Sequence, residues 1–404
     1  MTQKPIAPSP SLTRTLSRAS LLFGMCLVST FICVAPLSAG VYDFTRISST
    51  ANVFGNAGPP IPSLNNQGEA AFRASLTSYF DGQGIYKGNG GALTTIFDTT
   101  QDPTFWGGFL NTPVINDSGT VAFSARRSGV WGIYQGDGSG LTTVALPPSP
   151  FGDYGSPQIA NDGTVYFAVS TVNTVAIHSN PVGLADPIFS ASTASSSAYL
   201  IPSVSDNGTI AFITGGLKDI PHGAYRIDDN SAGSVTPISQ LSNLAFNYQS
   251  VAVNDAGLVG LVGTISFSNQ GVYLGNGTDF LTVADRNGAF DGFGSISLNN
   301  LGQFAFSATL DSGFSGIFRG ADPAADKVIQ TGDALDGSTV KMIEFGSSAF
   351  NDRGQVAFYA ELTDGRRGVY VATVPEASSL LLASLGIPLA AGYVLCQRRQ
   401  HRQR

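Results

Sequence analysis

The stretch NDSGTVAF, Asn116–Phe123, decides how this chain is read. Close variants recur as NNQGEAAF from Asn65, NNLGQFAF from Asn299 and NDRGQVAF from Asn351. Aligned on the glycine there are seven copies, with Gly68, Gly119, Gly163, Gly208, Gly257, Gly302 and Gly354 spaced 44–52 residues apart. The first position is Asn in five of them (Asn65, Asn116, Asn254, Asn299 and Asn351), and Ala160 and Ser205 replace it in the other two. A fixed period of this length marks a repeat architecture and overrides any domain count taken from length alone.

The phrase reads as a hairpin turn. An Asn or Ser side chain folds back onto backbone N–H groups two or three residues on. The glycine supplies the positive φ that such a hairpin needs. The residues that follow alternate between two faces, as a half-buried strand does. Phe72, Phe123, Phe167, Phe212, Phe306 and Phe358 should therefore point into a core.

Each unit holds further strands. A second motif follows the phrase, as GIYKG at Gly84, GIYQG at Gly132, GAYRI at Gly223, GVYLG at Gly271, GIFRG at Gly316 and GVYVA at Gly368; the third unit has VAIHS at Val175 instead. A third strand comes next, as in LTTIFD (Leu93–Asp98) and LTTVAL (Leu141–Leu146), and a short run before the Asn makes a fourth. Four short strands in about 48 residues is the size of one β-propeller blade. The seventh unit stops after GVYVAT, and YDFTRI near the start of the body resembles the strand it lacks. The fold expected is all-β: a seven-bladed propeller of four-stranded blades over residues 40–374, closed by an N-terminal strand. An open β-solenoid or a string of sandwiches is the alternative.

Composition agrees with many strands and turns. The charged fraction is 12%, about half that of an average globular protein, and there are 48 glycines. Setting aside the two terminal segments leaves a body with a net charge of −13. Such a body repels nucleic acid and anionic lipid and tolerates neutral sugars. The three cysteines, Cys26, Cys33 and Cys396, all lie in terminal apolar runs, so the body has no disulfide framework, zinc-finger spacing or thiol nucleophile.

Both ends read as addresses. Residues 1–39 join a basic, Ser/Pro-rich region to an apolar run and the small residues Ser38, Ala39 and Gly40, the pattern of a secretory signal cut by signal peptidase. An uncleaved anchor is the alternative. Residues 375–404 carry an apolar run from about Ser379 to Cys396 and then RRQHRQR. The run is near the lower limit of ~17 residues for a membrane-spanning helix, and the basic cluster would stay cytoplasmic.

With Val374, Pro375 and Glu376, this tail resembles the PEP-CTERM sorting signal of bacteria that make extracellular polysaccharide. That motif usually has a second proline, where this chain has Ala377. The resemblance implies cutting by an exosortase-type enzyme, transient residence in the inner membrane and delivery to the cell surface or matrix. A plain C-terminal anchor is the other reading. The body resembles bacterial surface proteins with tandem NxxGxxAF repeats. That resemblance implies location and shape, not a reaction.

In a repeat protein, a residue found in every unit is first a structural candidate, and a residue found once is a better functional one. Tyr154, Tyr199, Tyr248, Phe293 and Phe345 each lie six residues before the first turn position, and Phe109 lies seven before. Such a row could stack on sugars, but its recurrence points to packing. Trp106, in the connection FWGGF, has no counterpart in other units and is the candidate ligand-binding residue. The Asp-bearing turns resemble fragments of calcium loops, but each offers one carboxylate or none, and calcium wants six to eight oxygens. They also resemble the sialidase Asp-box, without its Trp. His178 and His222 stand alone, and Arg126-Arg127 and Arg366-Arg367 read as solvated pairs. No nucleophile elbow, P-loop or dinucleotide fingerprint occurs.

The function expected is a non-enzymatic exported protein, without a cofactor or metal, that binds extracellular polysaccharide or an envelope partner and no nucleic acid. The alternative is a secreted glycoside hydrolase or lyase using aspartates at the central face. Convergence of two or three carboxylates with an Arg or Tyr would favour the alternative.

Overall fold

The computed structural model describes residues 42–49, 59–75, 83–100, 102, 104–109, 112–146, 153–180, 187–194, 198–227, 234–240, 248–266 and 269–374. The signal region with Ser38, Ala39 and Gly40, and the tail from Pro375 and Glu376 onward, lie outside the described residues. Among the described residues no helix is long and apolar enough to cross a membrane.

The chain forms a seven-bladed β-propeller of antiparallel blades. Blade 1 runs from an inner strand Ser63–Leu64 through Ala70–Ser75 and Gln83–Gly88 to an outer strand Thr94–Asp98. The other blades repeat this order, with the inner strand broken into two pieces in blades 2 and 3. Blade 7 takes Ser338–Glu344, Val356–Leu362 and Arg367–Thr373 from its own unit. Its outer strand is Asp43–Ser49 from the start of the body, with Asp43 opposite Thr373 and Ser49 opposite Gly368. The ring is therefore clasped by its two ends, which removes the open edges a linear array would expose. Val374 directly follows the clasp.

The seven turn glycines all have positive φ, between 73° and 89°. The Asn side chains reach two and four residues on: Asn65 Oδ1 accepts from Gln67 N (3.0 Å) and Glu69 N (2.9 Å), and Asn351 Oδ1 from Arg353 N and Gln355 N. The expected reach of two or three falls short because the turn is longer. The N–H of the third residue on, the glycine, bonds the Asn main-chain carbonyl instead.

The core sits in the wedges between neighbouring blades. One cluster joins Phe72 and Tyr86 of blade 1 to Phe358 and Tyr370 of blade 7; another joins Ala71 and Ile85 of blade 1 to Phe123 and Tyr134 of blade 2. The six phrase phenylalanines are all 0–2% exposed, as their alternation requires. Each faces an aromatic ring across the strand pair, such as Phe123 opposite Tyr134 and Phe358 opposite Tyr370. The glycine of the GxY motif makes room for that ring. A Cβ on Gly84 would lie 2.5 Å from the Tyr86 hydroxyl, and one on Gly132 would lie 2.8 Å from that of Tyr134. In blade 3, His178 takes the tyrosine's place opposite Phe167. It is buried and stacked on that ring, and burial holds its pKa below the ordinary value.

Candidate functional site: the axis and the far mouth of the channel

Seven NxxG turns meet around one end of the central channel. Their first-position side chains reach from blade to blade. The Asn65 amide donates to the Asn116 carbonyl (3.0 Å), Asn116 to Ala160 (3.1 Å), Asn254 to Asn299 (3.1 Å), Asn299 to Asn351 (3.1 Å) and Asn351 back to Asn65 (2.9 Å). All five side chains are 3% exposed. The circuit lacks two rungs, where Ala160 and Ser205 carry no amide. Ser205 Oγ bonds Asn207 within its own turn.

The second turn positions hold Asn66, Asp117, Asn161, Asp206, Asp255, Asn300 and Asp352, and these build an inner circuit. Asp117 Oδ1 accepts from Asn66 N (2.7 Å), Asn161 Oδ1 from Asp117 N (2.9 Å) and Asn300 Oδ1 from Asp255 N (2.9 Å). Asp352 Oδ1 accepts from Asn300 N (2.7 Å), and Asn66 Oδ1 from Asp352 N (2.8 Å). Asp206 departs from this pattern. Its Oδ2 accepts from Asn66 Nδ2 (3.2 Å) in blade 1 and Asn300 Nδ2 (2.9 Å) in blade 6, bridging the channel from blade 4. Burial, and then the charges of Asp117, Asp255 and Asp352, push its pKa up to about 6.

Carboxylates thus converge on the axis, which reading each turn by itself missed. The signal was present: the second position is Asn or Asp in all seven copies. Yet these carboxylates already hold donors. Asp117 Oδ2 takes Asn66 and Asn161 amides, Asp352 Oδ2 takes those of Asn66 and Asn300, and Asp255 Oδ1 takes the Asn207 N–H. The space at the axis is about 80 Å³, and among the described residues neither Arg, Lys, His nor Tyr lines it. Among the described residues no group of three or more His, Cys, Asp or Glu has the geometry to hold a metal ion.

The opposite mouth, where inner strands begin, is different. The aromatic row lies here. Phe293 and Phe345 are buried, and Phe293 packs on Phe290 and Phe306 at 5.4 and 5.9 Å between centroids. Trp106 lies in Phe105–Phe109, at the corresponding start of blade 2. Its side chain, with those of Phe109, Tyr154 and Tyr248, lies outside the described residues. A groove of about 410 Å³ opens across blades 5 to 7, lined by neutral groups that include Gln249, Gln270, Gly292, Ser307, Thr309 and Ser315. No signal in the sequence marked it.

The remaining candidates resolve simply. His222 Nε2 accepts from Gly216 N. The arginine pairs are half-exposed but bonded: Arg127 to Asp102 (3.3 Å), Arg126 to the Gly129 carbonyl, Arg366 to Asp336 and Asp364, and Arg367 to Glu361.

A family pattern spans residues 47–381, the propeller from within its clasp strand to just past its last strand. The chain belongs to the family of unknown function DUF7453. No curated protein matches it. Among solved structures, this DUF7453 chain is similar to an oligogalacturonate lyase from Vibrio parahaemolyticus, at 12% identity and a TM-score of 0.52, covering 83% of this chain and 99% of that one. It is also similar to virginiamycin B lyase from Staphylococcus aureus, at 11% identity and a TM-score of 0.46, covering 82% and 100%. At these identities the likeness to the Vibrio lyase speaks for the fold alone.

Proposed function

We propose that this DUF7453 chain is an exported, surface-displayed propeller that binds extracellular polysaccharide or an envelope partner and catalyses no reaction on it. Its ends act as the sequence suggests: a cleaved secretory signal, and a PEP-CTERM-like tail processed by an exosortase-type enzyme at the inner membrane. The engagement of the axial carboxylates carries the non-enzymatic reading. A general acid or base needs a lone pair or proton in reach of substrate. Here each axial Asp accepts from neighbouring amides or N–H groups, and Asp206 bridges the channel they surround.

The second reading is a glycoside hydrolase or lyase, favoured by the same four carboxylates gathered in one place. The likeness to an oligogalacturonate lyase adds the fold and not the chemistry. A polyuronate would also meet a body of net charge −13. The test is a panel of neutral and acidic polysaccharides, scored for binding and for reducing-end release in the same wells. Binding without release is expected. Release that Asp206→Asn abolishes would establish the enzyme reading instead.

A further inference from the structure

The groove at the far mouth rests on a fixed amide. Gln270 Nε2 donates to the Phe293 carbonyl (2.9 Å) and to Gln249 Oε1 (2.7 Å), and its Oε1 accepts from Phe293 N (3.0 Å). Every strong hydrogen-bonding hydrogen and the acceptor of the Gln270 amide are thereby assigned. The arrangement also orients Gln249. Its oxygen faces Gln270, so its NH2 group is left to point away from that partner at an exposed position. Ser307 Oγ accepts from Ser295 N (2.9 Å), which leaves its hydroxyl hydrogen to donate. Thr309 and Ser315 share one hydrogen bond of 3.0 Å between their hydroxyls, and that pair retains a second hydrogen.

The walls leave space for a ligand. Gly292 lies beside a β-bulge, where the register shifts between Phe290 and Gly292. A Cβ there would meet only Gln270 Oε1, at 3.8 Å, so the glycine keeps the groove open without strain. The volume of about 410 Å³ falls in the lower part of the range for small-molecule pockets, roughly 300–1,000 Å³.

From this geometry we propose that the groove is a subsite for one neutral sugar unit of a polysaccharide, held by the Gln249 amide and the Ser307, Thr309 and Ser315 hydroxyls. The inference rests on the polysaccharide-binding reading above and deepens it. Three features favour a neutral sugar. Among the described residues the lining groups carry no charge, so a uronate or phosphate finds no counterion there. The groups left over are mainly hydrogen-bond donors, suited to the ring and hydroxyl oxygens of a sugar. Of the apolar side chains that line the groove, Phe293 and Ala308 are buried and Ile343 is half-buried, so a peptide side chain gains little apolar anchor.

The test is calorimetry on the full chain with β-1,4-glucohexaose, α-1,6-glucohexaose, mannohexaose and, as the acidic control, galacturonohexaose. Gly292→Leu fills the groove and Gln249→Ala removes the amide. Each is expected to weaken neutral-hexaose binding at least tenfold with an unchanged Tm. Unchanged binding in both groove variants would overturn this inference and leave the polysaccharide reading standing. Binding of galacturonohexaose alone would also overturn it. Binding of no hexaose by the parent chain would overturn both.

Discussion

From the first turn position, blades 5, 6, 7, 1 and 2 each hand an asparagine amide to the next blade, while blades 3 and 4 have none there to hand on, and blade 4 reaches blade 5 from its third position, Asn207 to the Asp255 carbonyl (3.2 Å). The two arcs share one turn, one positive-φ glycine and one wedge of aromatic core. What separates them is a single side chain per turn. In the bonded arc the inner rim is tied by direct rungs. In the gap, the Asn161 N–H bonds the Asp206 carbonyl (2.8 Å), and the Asp206 side chain leans across the channel to the far blades. The comparison shows how a worn repeat keeps its ring: where the first-position rung is lost, main-chain and Asn207 bonds between neighbouring turns and a bridge across the axis stand in.

The sharpest break of this contrast is Asn351→Ala. It removes the donor to Asn65 and the acceptor for Arg353 N and Gln355 N at a buried site. A loss of about 3 kcal/mol is expected, because buried partners are left unsatisfied. Ser205→Ala in the gap should cost under about 1 kcal/mol. Equal losses in chemical denaturation would end the distinction between the arcs.

Next come two glycines with the same backbone. Gly119→Ala forces a Cβ onto φ +79° and to 2.5 Å from Lys87 Nζ, which bonds the Gly119 carbonyl. Gly163→Ala meets the same strain at φ +88° with nothing within 4 Å. About 2 kcal/mol is expected for the first and about 1 for the second. An unchanged Tm in either would refute the turn assignment.

Repair should work in the other direction. Ser205→Asn places an amide in the gap and is expected to stabilise by about 1 kcal/mol, as one added rung. No gain would mean that the two bonds of Asn207 to Asp255 already tie the blade 4 turn to blade 5 as firmly as a rung would.

The smallest effect concerns pH. The folded pKa of Asp206, about 6, lies above its ordinary value of 3.8, so the folded state binds this proton more tightly. The group therefore lowers stability as pH rises from about 4 to about 6, and the full cost remains above that window. Asp206→Asn should stabilise at pH 7. Asp206 is only half-buried, and screening by solvent trims the gain to about 1 kcal/mol. The variant should also flatten the pH profile between 4 and 6. A parent protein equally stable at pH 4.5 and 6.5, with a variant no different, would refute the charge crowding.

The propeller was legible because its information is local and repeated. Asn-x-x-Gly, the alternating strand and Gly-x-Tyr each specify a short element, and seven copies fix the number of blades. The clasp strand was legible because the last unit lacked what YDFTRI supplies. The axial circuit was not. Asn66 and Asp117 meet only because two turns in different units face one axis, and a turn taken alone shows one carboxylate. The groove was less legible still, since Gln249 and Gln270 acquire their roles from one bulge at Phe293. Trp106 stood out because it is rare, and rarity carries no geometry.

The clasp also has a kinetic meaning. Asp43 and Thr373 are neighbours in the sheet and lie near opposite ends of the described chain. Pairs this distant in sequence raise contact order and slow folding. Synthesis delivers the N-terminal strand first and its partner last. Until Arg367–Thr373 emerges, Asp43–Ser49 has no blade to join and blade 7 has no outer edge. The joint that seals the finished ring is therefore its last to form, and a chain stalled short of Thr373 presents two unpaired edges to its neighbours.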